Sequence, residues 1–177
     1  ILPLSPTSYG DSPYQSFSVY AGNPYFIDFD ALKQEGLLKK SDYQNIKWQD
    51  NPNQVNYSRI YENCYKVLKI AYKTYRRDIS KKYGSFVEKN KDWLEDYALF
   101  MALKSHFNNV SWGEWETDIK FRKPEAMSRY EEQLSDDIGY WKFIQFEFYL
   151  QWNALKQYAN SNGIEIIGDI PIYMGYD

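Results

Sequence analysis

Between Leu2 and Ser18 the chain reads LPLSPTSYGDSPYQSFS, a stretch that concentrates side chains able to hold a polyhydroxylated ligand. Tyr9 and Tyr14 offer ring faces, Asp11 a carboxylate, and Thr7, Ser8, Ser12 and Gln15 hydroxyl and amide groups. Rings pack on the apolar faces of pyranoses, while these short polar groups hydrogen-bond sugar hydroxyls in more than one direction. Ile1–Leu4 is apolar and reads as a strand, which prolines at 3, 6 and 13 together with Gly10 bring to an abrupt stop. Loops of this kind, set on a rigid scaffold, are where binding residues concentrate.

The elements that would carry this loop follow from spacing. Asn23–Asp30 is a short apolar stretch ending in capping residues, and Ala31–Leu38 reads as a short helix, with another turn starting at Ser41. Residues 44–58 are rich in Asn, Gln and Asp and read as an ordered loop around a buried Trp48. Tyr65, Leu68, Tyr72 and Tyr75 recur every three or four residues, which predicts a helix over 61–82 that Gly84 ends. Leu94, Tyr97, Ala98 and Met101 predict a further helix over 91–107, with a structural His106 near its end. Trp112 and Trp115 fall in a polar connection as expected packing anchors. Ser135-Asp136-Asp137 supplies an N-cap and acidic first turn for a long helix, with Trp141, Ile144, Phe148, Trp152, Leu155 and Ala159 down one face. Asn162-Gly163 stops it, and Ile164–Gly168 then reads as a buried strand running into Asp169. A helical block thus separates one strand at each end, the helix-to-strand step of an α/β fold.

Totals narrow the classes further. A length of 177 residues suits one ordinary domain, yet a complete α/β barrel takes about 250. A formal charge of −3 gives no electrostatic case for nucleic acid or an anionic membrane surface. Cys64 is the only cysteine, which excludes an internal disulfide and suits a reducing, cytoplasmic setting. With His106 as the only histidine, a Cys/His zinc site is excluded, and no residue cluster implies a metal or organic cofactor. No apolar run approaches the roughly 20 residues of a membrane helix, and no signal peptide is visible. Aromatic residues make up 19% of the chain, an excess in keeping with both ring-rich packing and sugar binding.

Three stretches carry a specific resemblance. LPLSPTSYGDSPYQSFSVYAGNPYFIDFDAL at the start, WLEDYALFMALK at 93–104, and Gln151-Trp152 with Tyr158–Asn160 and GIEIIGDIPIY at 163–173 occur in one order along the chain. Together they resemble the amylomaltases, the 4-alpha-glucanotransferases of glycoside hydrolase family 77. The resemblance implies an α/β fold, a partial (β/α)8 barrel with large, mainly helical insertions near the N-terminus. On that reading residues 1–30 hold an early barrel strand and a glucan-binding loop, 31–134 a helical insertion, and 135–177 a barrel helix and strand ending at Asp169.

It also implies the reaction of the whole protein: transfer of α-1,4-glucan segments between maltooligosaccharides, with glycogen or starch as further substrates. A retaining transfer of this kind needs two carboxylates about 5 to 5.5 Å apart, a nucleophile and an acid/base. No segment here is similar to the family's catalytic motifs, so no catalytic residue is expected and the chain alone is expected to be an inactive fragment. Asp169 matches the family's GDxPI acidic position bordering the reacting subsite. Tyr14, with Asp11 and Ser12, resembles the donor-subsite part of the loop, and Tyr9 and Tyr57 resemble rings of a second glucan groove. Asp177 stands where the family has a further Asp. The alternative class is a non-catalytic glucan-binding or scaffold protein derived from the same family.

Overall fold

The computed structural model describes residues 1–8, 10–76 and 80–174, apart from the side chain of Met174. Three helices hold it together. The first of them, α2 (Tyr57–Tyr75), starts where the Asn56 side chain accepts a hydrogen bond from the Arg59 amide at 3.1 Å. Its inward face is the one that the spacing predicts: Leu68 and Tyr75 are buried, Tyr65 and Tyr72 half-buried. The helix ends earlier than its periodicity suggests. Ser80 caps a new helix, α3 (Lys81–His106), by accepting from the Tyr83 amide at 3.3 Å, so Gly84 lies inside α3 instead of terminating α2. A lone helical glycine costs about 1 kcal/mol relative to Ala, less than a cap and a buried face together supply.

The last helix, α6 (Ser135–Ser161), is the centre of the core. Tyr140, Trp141, Phe143, Ile144, Gln145, Phe146, Glu147 and Phe148 are all buried, so its middle is enclosed on every side, as in a core helix. Phe143 sits 4.8 Å from the Tyr75 ring and Phe146 5.6 Å from the Tyr83 ring, which ties α6 to both α2 and α3. Much of the aromatic excess is therefore core. Leu134 occupies the cap position that Ser135 is expected to take, with Asp136 and Asp137 in the first turn as expected. The far end closes as Asn162-Gly163 predicts. Gly163 has φ +74°, and the amides of Gly163 and Ile164 return to the carbonyls of Asn160 and Ala159, both at 3.0 Å. That doubly bonded stop needs left-handed backbone, which glycine adopts without strain.

Shorter helices surround this trio: α1 (Phe29–Gln34), α4 (Thr117–Lys120) and α5 (Pro124–Gln133). α1 starts two residues before the expected Ala31, because Asp28 caps it by accepting from the Asp30 amide at 2.7 Å. α4 and α5 lie in the stretch that reads as polar connection; Pro124 at the first turn of α5 is the signal that marks a helix start there.

The strands depart most from expectation. Neither Ile1–Leu4 nor Ile164–Asp169 forms a strand. Instead β1 (Gln15–Ser16) pairs in parallel with β2 (Tyr173–Met174), Gln15 opposite Tyr173. Ile164–Asp169 is not buried either, with Ile167 82% exposed. Apolar residues make a buried strand only where neighbouring strands complete the ladder, and among the described residues these segments have no such neighbour.

Two glutamines of α6 fasten the segment that follows the opening loop. Gln145 accepts from the Gly22 amide at 2.7 Å and donates to its carbonyl at 3.0 Å. Gln151 does the same to Asp28, at 2.7 and 3.2 Å. Gly22 also lies against the Phe148 ring so closely that a Cβ would land on it.

Candidate functional site

The opening loop is shaped by its own short polar side chains. Thr7 and Ser16 form an antiparallel bridge, and the Ser8 amide donates to the Gln15 carbonyl at 3.2 Å, so the ends of the loop are tied together. Within it, the Asp11 amide donates to Ser8 and the Gln15 amide to Ser12, each at 3.2 Å. Asp11 has φ +55°, a left-handed conformation that a short polar side chain tolerates. Its carboxylate accepts from the Thr7 hydroxyl at 3.5 Å. Ser12 Oγ accepts from the Tyr14 amide at 3.3 Å, which sets the direction in which Tyr14 leaves the turn.

Tyr14 then meets the other end of the chain. Its hydroxyl donates to Asp169 Oδ2 at 3.0 Å, and its carbonyl accepts from the Tyr173 amide at 3.0 Å. The second oxygen of Asp169 accepts from the Ile170 amide at 2.8 Å. The hydrogen bond to Asp169, and next the charge on its carboxylate, raise the Tyr14 phenol above its ordinary pKa. Asp169 does not end a strand, as expected from the sequence; it stands four residues before β2, in an exposed extended segment.

Of the expected residues, the structure brings Tyr14 and Asp169 together, and Asp169 lines a hollow of about 220 Å³ with Tyr20 and Trp152. Tyr25 stands within electrostatic reach of both Asp11 and Tyr57. Burial first, and then the charge of Asp11, push the Tyr25 phenol upward, with Tyr57 and Tyr61 contributing. Tyr57 is exposed at the start of α2, and one helical turn on Tyr61 packs edge-on to Tyr65 at 4.9 Å. Tyr9 and Asp177 lie outside the described residues. Tyr20, Tyr25 and Tyr61 are neighbours that the sequence does not single out, and Trp152 is read there only as a ring of the α6 face and of the third motif. For Tyr61 alone a local signal exists, the four-residue step from Tyr57.

Tyr14 and Asp169 hold each other in place, and their remaining oxygen lone pairs can accept further hydrogen bonds, while exposed rings offer apolar faces. Among the described residues, no group of three or more His, Cys, Asp and Glu could hold a metal ion. No described helix is long and apolar enough to cross a membrane. His106 packs against Phe107 and Tyr130, with ring centroids at 4.9 and 5.6 Å, in the structural role expected of it.

The family model described as 4-alpha-glucanotransferase matches residues 1–177. A 4-alpha-glucanotransferase of Clostridium butyricum is 52% identical over 177 residues, covering 100% of this chain and 36% of the relative. That of Thermus thermophilus is 38% identical over 181 residues, covering 100% of this chain and 35% of the relative. Among solved structures, an amylomaltase from Streptococcus agalactiae in complex with acarbose superposes with a TM-score of 0.94 at 44% identity, covering 99% of this chain and 36% of that one. The chain belongs to the 4-alpha-glucanotransferase family, and it spans about a third of the length of these relatives.

Proposed function

We propose that this chain is the N-terminal part of an amylomaltase-type 4-alpha-glucanotransferase, and that it supplies glucan-contacting residues while the catalytic carboxylates lie outside it. The whole protein would transfer α-1,4-glucan segments between maltooligosaccharides by a retaining double displacement, drawing also on glycogen or starch. The observation that carries this reading is the Tyr14–Asp169 hydrogen bond at 3.0 Å, which joins residues 155 positions apart. It brings together the loop and the GDIPI segment, which belong to two of the three stretches that resemble the family. In that reading segments 1–4 and 164–172 are barrel strands whose neighbours lie in the remainder of the protein, a (β/α)8 barrel with the described helices as insertions and barrel helix. Tyr14, Asp11 and Ser12 face the donor subsite, Tyr9 and Tyr57 a second groove, and Asp169 borders the reacting sugar. The buried thiol of Cys64 suits a reducing cytoplasm.

Glucose release from maltotriose tests it. The longer protein containing these residues should release glucose and build longer maltooligosaccharides, and the 177-residue chain alone should do neither. Release by the short chain, with contamination excluded by intact mass, would place the nucleophile and acid within it and overturn the proposal.

A further inference from the structure

Gln145 is a polar residue in a place where an apolar one would pack. It is wholly buried in the middle of α6, and Ile144 and Phe146 on either side of it are buried as well. Burying an amide costs free energy unless its polar atoms are hydrogen-bonded. Both ends of this one are, and to a single residue. Gly22 donates its amide to Gln145 Oε1 at 2.7 Å and accepts from Nε2 at 3.0 Å. The Phe148 ring closes on Gly22 with no room for a Cβ, so this point of the backbone is fixed from two sides.

Two runs of hydrogen bonds lead away from it. One returns to Tyr14. Ser18 Oγ accepts from the amides of Tyr20 and Ala21, both at 3.2 Å, and the Tyr149 hydroxyl donates to the Tyr20 carbonyl. The buried Ser16 donates through Oγ to the Ser18 carbonyl at 2.8 Å and accepts from the Ser18 amide at 3.2 Å. Ser16 belongs to β1, whose other residue, Gln15, adjoins Tyr14. The second run leads to Asp169. The amide of Asn23, the residue after Gly22, donates to the Leu4 carbonyl at 2.8 Å, and the Ile1 nitrogen donates to the Ile167 carbonyl at 2.7 Å. Ile167 and Gly168 lead straight into Asp169. The two runs meet again in the Tyr14–Asp169 hydrogen bond.

We infer that Gln145 is a positioning residue: by holding Gly22 it sets where Tyr14 and Asp169 stand relative to each other, without touching the sugar itself. The inference rests on the function proposed above, in which Tyr14 faces the donor subsite and Asp169 borders the reacting sugar. Apolar packing alone tolerates several arrangements of similar volume, whereas a fully satisfied buried amide gives the backbone it holds one place. That difference matters at a site, because a misplacement of about 1 Å can cost roughly a hundredfold in rate.

Steady-state glucose release from maltotriose by the intact protein tests this, with the folded fraction of each sample taken from urea unfolding. Gln145→Met keeps the length of the side chain and removes both bonds, and its KM should rise about tenfold. Phe143→Ala damages the same stretch of α6 without touching Gly22. It should lose folded protein and hence apparent kcat, with KM unchanged, because fewer intact sites lower the rate and not the affinity. Ser18→Ala cuts the run to Tyr14 outside the core and should raise KM about threefold. A folded Gln145→Met protein with unchanged KM overturns the inference and leaves the proposed function standing. If Gln145→Met does not fold, an unchanged KM in Ser18→Ala overturns it equally. No glucose release by the unchanged protein overturns the proposed function, and this inference with it.

Discussion

The middle of α6 and the segment just beyond its end differ sharply in how they are held. From Tyr140 to Phe148 every residue except Lys142 is buried, and rings from α2 and α3 close over them. From Ile164 to Tyr173 most residues are exposed, apolar ones included, and short polar contacts such as Tyr14 to Asp169 provide the order. The first region is held by area removed from water, the second by a few hydrogen bonds that water competes for. Stability and the proposed sugar contact thus fall to different residues, joined by the Gln145 and Gln151 clamps on the segment behind the loop.

The sharpest way to break this division is from the core side. Phe143 is fully buried between Tyr72 and Tyr75, so Phe143→Ala should cost about 3–5 kcal/mol of stability in urea unfolding. The fraction that remains folded should bind maltoheptaose normally. Next comes an ionisable group inside the core. Glu147 is fully buried, neither oxygen accepts a hydrogen bond from a described donor, and burial together with the adjacent Glu35 carboxyl raises its pKa from 4.5 to about 8. Burial likewise raises Glu35, against opposing pulls from its hydrogen bond with the protonated Glu147 and then from Lys82. The folded chain therefore keeps a proton that the unfolded chain releases. Its contribution is complete below pH 4.5 and is lost as pH rises towards about 8. Glu147→Gln, neutral and of the same shape, should flatten the fall in melting temperature across that window; an unchanged slope would mean that the carboxyl is charged in the fold. Smaller again is Gly22→Ala. The new methyl must displace the Phe148 ring, which should cost about 1–3 kcal/mol and weaken glucan binding too, because Gly22 sits in the joint between the two regions.

Sequence periodicity foretells the buried faces of α2 and α3, and the Asn162-Gly163 stop is local chemistry. For α6 the single predicted face is only part of the answer: Trp141, Ile144 and Phe148 are buried, but so are their neighbours on every side, and Leu155 is 57% exposed. Its failures have local causes as well. Gly84 reads as a terminator because glycine is weak in helices, whereas Ser80 decides the boundary. Ile164–Gly168 reads as a buried strand because apolar composition reports a preference and not the presence of neighbours. The site is a different matter. No spacing rule connects Tyr14 with Asp169, and both stand out in the sequence chiefly through motif resemblance. Tyr25 and Trp152 lie in the resembling stretches but nothing local marks them as site neighbours, since each reaches the site through tertiary packing.

The measurement that bears most directly on the separation of scaffold and sugar contact is Tyr14→Ala, with maltoheptaose affinity and urea unfolding recorded on one sample of the intact protein. Affinity should fall about tenfold while stability moves by less than about 1 kcal/mol. A loss of stability approaching that of Phe143→Ala, or an unchanged affinity, would contradict the account.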